Sequence, residues 1–256
     1  MTLILTHISQ YGIVHASDSN LTAYGVHAGT ASKIYPIAHL QAGLTVAGAF
    51  SVGGATMESW MPEFIQMHAS SEQPSLQDFA YRLKDSLAEQ MLDEEKSSGS
   101  LIHIAGFTRS GEQVHPEFWF VRNVGGIDQC TGEYSEPTSD FLVSEDFWSR
   151  DWPTHNLAKA FKENGYQVYV NGFASGRIGF VLLQRVIDQA FRAIWANPGG
   201  WSHWKFRPPQ LLQETEAFVR LTVQALCTLF LLSDFEALYI GGEVQTYSIA
   251  WPSPNS

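Results

Sequence analysis

Alternating apolar and polar residues open the chain and predict two β-hairpins. The first covers residues 3–15, with the polar, glycine-containing sequence Ser9-Gln10-Tyr11-Gly12 at its turn. The second pairs residues 32–37 with residues 43–48 through the turn Ala38-His39-Leu40-Gln41. Because a hairpin returns the chain to its start, the residues that follow the first hairpin are expected beside the N-terminus.

Steps of three and four residues between apolar positions predict two amphipathic helices next. The first covers residues 52–67, with a stripe formed by Met57, Trp60, Met61, Phe64 and Ile65. The second covers residues 76–93 behind Ser75, a serine in the position of an N-cap. Methionine and aromatic side chains at this spacing indicate core contacts. The charged, serine-rich residues 93–100 are expected to form a solvated loop.

The second half of the chain predicts further strands and helices. A strand pair at 101–108 and 117–124 is followed by residues 125–168, which have the weakest pattern and are expected to be an elaborated loop with a short helix at 155–163. Long helices are predicted at 177–195 and 211–232, and a last strand pair at 238–242 and 244–251. By pattern alone the fold class is α+β.

Composition favours a single domain over residues 1–256. The chain has 45% hydrophobic and 13% aromatic residues, enough for a large core, and no segment resembles a linker. Its formal net charge of -11 argues against nucleic acid or an anionic membrane surface as the main partner. Residues 1–5 are too short for a signal peptide, and the apolar run 221–232 is too short to span a bilayer. We therefore expect a cytoplasmic protein.

Cysteine and histidine usage predicts neither a metal site nor a cofactor. Cys130 and Cys227 lie far apart and outside any CxxC pair, so they indicate neither a disulfide framework nor a zinc site. His103 and His115 have no third ligand at metal spacing. We therefore expect each of these two histidines either to be buried with hydrogen-bond partners or to lie on the surface.

Four residues in the first fifty could together form a nucleophilic site. Removal of Met1 would leave Thr2 with a hydroxyl and a free α-amine that can act as its base. Lys33 would lower the pKa of that amine, Asp18 would pair with Lys33, and the backbone N–H of Gly48 would stabilise an oxyanion. The two predicted hairpins bring Lys33 and Gly48 to the same sheet edge as Thr2.

Each of these residues also has a purely structural interpretation. Asp18, between Ser17 and Ser19, could cap a turn by accepting backbone N–H bonds. Lys33 could be a solvated lysine at a strand edge, and Gly48 a turn glycine. Their order and their positions at strand ends favour the functional interpretation.

The order Thr2, Asp18, Lys33, Gly48 resembles that of a proteasome β-subunit, including the bacterial proteasome-like peptidases of the N-terminal nucleophile hydrolase superfamily. The resemblance implies a four-layer αββα sandwich and a threonine-type peptidase that forms a homo-oligomeric ring or stacked rings. It implies peptides or unfolded proteins as substrates and leaves open an ATPase partner. A non-peptidase amidase of the same superfamily and a non-catalytic scaffold or binding subunit remain alternatives.

The resemblance extends to residues outside this group. Ser175, in Gly172-Phe173-Ala174-Ser175-Gly176, matches a serine expected to bond the amine region of Thr2, although it could equally be a helix N-cap. Near Gly241 the family has a supporting Asp and Ser, where this chain has Ala237 and Ile240; Asp234 or Glu236 could substitute.

Substrate binding and assembly follow from the same resemblance and from apolar surface. The residues that the resemblance implies for substrate binding are Leu21, Thr22, Val46, Ala49 and Phe50. Because they are mostly apolar, they predict a preference for substrates with a hydrophobic side chain immediately before the scissile bond. Trp195, Trp201 and Trp204 around one turn, with the amphipathic helices, predict an oligomer larger than a dimer.

Overall fold

The computed structural model describes residues 2–23, 26–70, 75–111, 113–125, 134–145, 157, 161–162, 165–172, 207–232 and 240–252. The strands are β1 (Ile4–Ser9), β2 (Gly12–Ser17), β3 (Asn20–Ala23), β4 (Val26–Thr30), β5 (Ile34–Ile37), β6 (Ala42–Gly48), β7 (Ser51–Val52), β8 (Ala55–Thr56), β9 (Ser100–Ser110), β10 (Gln113–Val124), β11 (Pro137–Glu145), β12 (Tyr166–Asn171) and β13 (Gln245–Ala250). The helices are α1 (Met57–Ala69), α2 (Leu76–Gln90), α3 (Asp93–Lys96) and α4 (Leu212–Leu231), and a 3₁₀ turn covers Ala38–Leu40.

Two larger antiparallel sheets contain most of the strands. One has four strands in the order β12-β1-β2-β13, and the other has five in the order β11-β10-β9-β6-β5. Two small ribbons, β3-β4 and β7-β8, complete the described strands. The N-terminal hairpin is in register from Ile4 opposite Ser17 to Ser9 opposite Gly12.

Three apolar clusters hold these elements together. Ile4, Ile8 and Ile13 of the four-stranded sheet pack against Leu101 and other residues of the five-stranded sheet, so the two sheets face each other. Leu3 and Leu5 point to the opposite face of β1, where they join α4. Successive side chains of a strand point to opposite faces, and here both faces of β1 are buried.

The third cluster lies between the five-stranded sheet and helices α1 and α2. Phe79, Leu83 and Leu87 of α2 are fully buried there, together with Met61 of α1. Burying a side chain of this size is worth about 1.5–3 kcal/mol. Ser75 caps α2 by accepting from Asp78 N at 3.0 Å, as predicted.

The expected four-layer αββα sandwich is wrong for this chain. The described residues form mostly antiparallel sheet, with thirteen strands against four helices, and α3 is only one turn long. In the described part of the chain, α4 alone packs on the four-stranded sheet, where the sandwich required a helix pair. Strand β11 and the start of β12 lie in the segment 125–168 that was expected to be an elaborated loop, and β3 and β4 lie where the pattern assigned no element; all four add sheet.

Several individual elements agree with the sequence pattern. The two N-terminal hairpins, the β9–β10 pair and the long helix α4 are confirmed. Helix α1 begins at Met57 rather than residue 52, because Gly53 and Gly54 adopt positive φ and turn β7 into β8. The predicted helix at 177–195 lies outside the described residues.

Three segments differ from expectation. Residues 93–100 are not simply a solvated loop: Glu95 of α3 accepts from the backbone N–H groups of Gly53 and Gly54 at 2.9 and 3.0 Å. The 125–168 segment contains strand β11 where a loop was expected, although its residues 157 and 161–162 are helical, in line with the helix predicted at 155–163. Residues 240–242 are not strand; they form a loop beside Asp18.

None of the described helices is both long and apolar enough to cross a bilayer. The run 221–232 belongs to α4, whose inner face includes the fully buried Val223 and whose outer face exposes Leu221 and Leu231.

Candidate active site

A buried ion pair joins the ends of the two sheets. Lys33 Nζ donates to Asp18 Oδ1 at 3.1 Å, and both side chains are inaccessible to solvent. Asp18 follows β2 of the four-stranded sheet, whereas Lys33 precedes β5 of the five-stranded sheet. Lys33 and Gly48 lie at the same end of the β5–β6 hairpin, as expected. Thr2 instead precedes β1 of the other sheet, so the expectation that all three share one sheet edge is wrong, and the facing of the two sheets brings Thr2 to the ion pair.

Asp18 accepts three hydrogen bonds in addition to carrying charge. Its Oδ1 accepts from Lys33 Nζ and from Leu3 N at 2.9 Å, and its Oδ2 accepts from Gly241 N at 3.1 Å. Burial raises the pKa of the Asp18 carboxyl, and the charge of Lys33 and these N–H donors act in the opposite direction. The carboxylate is thus held in one orientation by groups from three parts of the chain.

Lys33 is positioned through its backbone and its ammonium. Its N–H donates to Gln245 Oε1 at 2.9 Å, its carbonyl accepts from Val46 N at 2.9 Å, and Nζ also donates to the Asn20 carbonyl. Burial lowers the pKa of the Lys33 ammonium, and the charge and hydrogen bond of Asp18 oppose that effect. An ammonium has only donors, and both observed partners are acceptors.

Thr2 lies directly next to this ion pair. The peptide N–H that follows Thr2, that of Leu3, donates to the same Asp18 oxygen that binds Lys33. Thr2 is buried, at 5% exposure. On its other side lies Gly172, where a Cβ would be 2.1 Å from Thr2 O and 3.0 Å from the Ala47 Cβ. The close approach at Gly172 therefore requires glycine.

Gly48 follows Ala47 at the end of β6, near Thr2. It has φ of 97°, a conformation that favours glycine, and a Cβ there would lie 2.1 Å from Gly99 O. The next residue is fixed as well, because Ala49 N donates to Gly99 O at 2.7 Å. Gly48 itself is exposed, so a backbone group at this position is accessible to a ligand.

The implied substrate-binding residues do not form one uniform wall. Val46 is fully buried and Ala49 nearly so, both in the core that faces α1 and α2. Leu21 and Phe50 are half-buried and keep surface for a ligand. Thr22 Oγ1 is buried and has no hydrogen-bond partner within the described ranges.

The resemblance drew attention to Ser175, a candidate support for Thr2, and to the residues around the family's supporting Asp and Ser, where this chain has Ala237 and Ile240. Ser175, Asp234, Glu236 and Ala237 lie outside the described residues. Ile240 is described and fully buried. Beside it, the Gly241 backbone donates to Asp18 and accepts from Ser19 N and Asn20 N, both at 3.2 Å. The glycine thus supports the acid through its main chain.

Sequence reasoning did not find two partners of the ion pair. Asn20 contributes a backbone carbonyl, which no side-chain pattern can reveal. Gln245 bonds Lys33 N and, through Nε2, Ala31 O at 2.8 Å across more than two hundred residues of chain. Only the pairing of β13 with β2 brings it there.

In the ranges that the structure describes, no group of three or more His, Cys, Asp or Glu could hold a metal ion. His103 bonds Thr6 and Asn171, while His115 lies exposed on β10. Burial raises the pKa of the Cys227 thiol to about 12, so it is a core residue. Comparison of the chain with protein-family models and with curated proteins finds no match in either.

Proposed function

We propose that this protein is a threonine-type amide hydrolase whose nucleophile is Thr2 after removal of Met1. The observation that supports the proposal most directly is the shared acceptor: Asp18 Oδ1 binds both the buried Lys33 ammonium and the N–H that follows Thr2. A buried cation is thereby fixed next to the residue that carries hydroxyl and amine. Burying an ion pair is costly, so its retention at this position favours a chemical role.

The proposed reaction begins with proton transfer from Thr2 Oγ1 to the Thr2 α-amine. The ordinary pKa of an α-amine is about 7.7–8.0, so the free base is available near neutrality. Lys33 stabilises negative charge that develops on Oγ1, and Asp18 holds Lys33 in place. The oxygen forms a bond to the carbonyl carbon of the substrate, giving a tetrahedral oxyanion.

The exposed backbone at Gly48 is the proposed donor to that oxyanion. A single donor of this kind is worth about 3 kcal/mol in comparable sites. The carbon–nitrogen bond then breaks, and the leaving amine takes the proton from the Thr2 ammonium. Water hydrolyses the resulting ester on Thr2 and regenerates the enzyme, with no cofactor in the cycle.

The proposed substrate is a peptide or an unfolded protein with an apolar side chain before the scissile bond. Leu21 and Phe50 provide half-buried apolar surface for that side chain. An apolar surface gains about 25 cal/mol for each square ångström of ligand that it buries, whereas a charged side chain must be desolvated.

We also propose that the protein acts in the cytoplasm as a homo-oligomeric ring, with an ATPase partner for folded substrates. The outer face of α4 exposes Leu221, Leu229, Leu231 and Leu232 to fractions of 40–76%. Apolar residues grouped in this way are typical of a surface that another protein covers. A second copy of this chain is the occupant that the proposal assigns to it.

The decisive experiment combines mass spectrometry with hydrolysis of a fluorogenic peptide panel. Intact mass should show loss of Met1, and Thr2→Ala should reduce turnover to background while Thr2→Ser retains part of it. Thr30→Ala, at an exposed threonine of β4, is the matched control and should behave as wild type.

Two outcomes would reject the proposal. Undiminished turnover in Thr2→Ala would exclude Thr2 as nucleophile. A protein that carries a free Thr2 amine but hydrolyses neither peptides nor simple amides would favour a binding or scaffold role. Hydrolysis of simple amides alone would favour a non-peptidase amidase.

A further inference from the structure

Two histidines meet at the end of the β5–β6 hairpin that is opposite Lys33 and Gly48. His39 lies in the 3₁₀ turn between β5 and β6, and His68 lies in the last turn of α1. His39 Nε2 and His68 Nδ1 are 3.1 Å apart, and the ring centroids are 5.4 Å apart. The other ring nitrogen of His68, Nε2, is 3.1 Å from Asp78 Oδ2 in the first turn of α2.

Asp78 determines which nitrogen of His68 carries the proton. A carboxylate oxygen can only accept, so His68 Nε2 must donate to it, and Nδ1 then has a lone pair directed at His39. Asp78 itself is fixed: its Oδ2 accepts from Arg82 Nε at 2.8 Å, and its N–H donates to Ser75 Oγ. A carboxylate in the first turn of a helix is also stabilised by the helix dipole.

We propose that His39 Nε2 and His68 Nδ1 are two ligands of a site for a divalent transition-metal ion, with Asp78 orienting His68. If each nitrogen lies about 2.0–2.1 Å from the metal, their 3.1 Å separation gives a nitrogen–metal–nitrogen angle of about 100°. That angle lies between the square-planar and tetrahedral values. Without metal, His39 Nε2 donates to the lone pair of His68 Nδ1, and binding of the ion replaces this hydrogen bond once His39 carries its proton on Nδ1.

The surroundings of His68 support a preformed ligand. Its side chain is almost completely buried, at 1% exposure, and its ring packs edge-on against Phe79 with centroids 5.0 Å apart. A carboxylate behind a metal-binding imidazole is the usual outer partner of such a ligand and raises its basicity. His39, by contrast, is exposed, which leaves the remaining coordination positions open to water.

Such an ion would connect the β5–β6 turn to the junction of α1 and α2. Its two protein ligands come from elements that are 29 residues apart in the chain, so binding would crosslink the five-stranded sheet to its helices. The inference uses neither Thr2 nor the ion pair and is therefore independent of the proposed hydrolase. Imidazole pairs of this kind suit Cu²⁺, Ni²⁺ and Zn²⁺.

The test uses Cu²⁺ as the probe on the full chain after treatment with a chelator. Titration calorimetry should give one strongest site per chain, and electron paramagnetic resonance should show two imidazole nitrogens on the copper. His39→Gln should weaken that site at least tenfold and remove one nitrogen. His115→Gln, at another exposed histidine, is the matched control and should leave both unchanged.

A second variant and a second metal test the role of Asp78. Asp78→Asn keeps an acceptor but removes the charge, and it should weaken Cu²⁺ binding about tenfold. Zn²⁺ should raise the melting temperature of the wild type and of His115→Gln but not of His39→Gln. The proposal is overturned if His39→Gln binds copper as tightly as the wild type, or if Asp78→Asn leaves the affinity unchanged.

Discussion

Among the described residues, two buried polar clusters differ in charge: one contains an ion pair, and the other contains neutral side chains. The first is the Lys33–Asp18 ion pair. The second, here called the histidine chain, consists of Tyr134, Asn171, His103, Thr6 and His15. Each of its links is a hydrogen bond of 2.8–3.1 Å: Tyr134 to Asn171, Asn171 to His103, and Thr6 to both histidines.

Burial disfavours the charged form of the ionisable groups in both clusters, and their hydrogen-bond partners decide whether they keep a charge. Among the described residues, no carboxylate is hydrogen-bonded to the histidine chain. Burial lowers the pKa of His15 to about 4 and that of His103 well below its usual range. Lys33 instead has Asp18 at 3.1 Å, and Asp18 has two further N–H donors. A buried polar group without a counter-charge stays neutral and serves structure, whereas one with a fixed counter-charge can serve chemistry.

The largest expected effect comes from breaking the ion pair. Lys33→Met leaves Asp18 buried without its cation, and we expect the free energy of unfolding to fall by about 3–5 kcal/mol. Hydrolysis should be lost with it. Urea denaturation and peptide turnover measure the two effects.

A double variant separates stability from chemistry at the ion pair. Lys33→Met combined with Asp18→Asn removes both charges and keeps an acceptor for Leu3 N, so it should be more stable than Lys33→Met alone. It should remain inactive. Activity in the double variant would mean that the pair is structural, as the histidine chain is.

Acid should weaken the fold through the histidine chain. Between pH 6.5 and 4 the unfolded chain binds a proton at His15 that the folded chain does not bind, so the free energy of unfolding falls as the pH falls. For His15 the loss over this range is about 3 kcal/mol. Urea titrations of the wild type and His15→Phe at both pH values measure it.

The variant should show a smaller loss between pH 6.5 and 4 than the wild type. His115→Gln, at an exposed position of β10, should follow the wild type. An equal pH dependence in His15→Phe and wild type would contradict a neutral buried His15.

A smaller effect is expected at the hydroxyl that joins the two histidines. Thr6→Val removes the partner of His15 Nδ1 and His103 Nδ1, and leaving buried polar atoms unbonded costs about 1–3 kcal/mol. Turnover per folded molecule should stay as in the wild type, because Thr6 belongs to the structural cluster. Thr6→Ser keeps the hydroxyl and should cost less; a loss of turnover at full folding would place the histidine chain in the reaction.

The smallest expected effect is on the preference for the substrate side chain that binds next to the Lys33–Asp18 ion pair. Tripeptide aminocoumarins with Leu or Tyr before the scissile bond should be cleaved about tenfold faster than those with Arg or Glu. Phe50→Ala should reduce that ratio, because it removes half-buried apolar surface. Faster cleavage after Arg or Glu would show that Leu21 and Phe50 do not bind the substrate side chain before the scissile bond. It would not affect the assignment of Thr2.

Local structure could be predicted where the signal is local. The β1–β2 turn, the serine cap of α2 and the apolar stripe of α4 each depend on residues a few positions apart, and each is where the pattern indicated. Strand β11 was missed because its exposed and buried residues do not alternate regularly. The short strands β3 and β4 follow the candidate acid and lack an apolar face.

The sequence by itself determined the residue types of the candidate site and their order: a hydroxyl at Thr2, an acid at Asp18, a cation at Lys33 and a glycine at Gly48. It determined these because the functional groups are carried by the side chains themselves. Only the tertiary structure decided that Asp18 and Lys33 form a solvent-inaccessible pair, and that they do so across two sheets. The contacts that orient the pair, from Gly241 and Gln245, span more than two hundred residues, and they exist because long-range strand pairing buries apolar surface on both faces of β1.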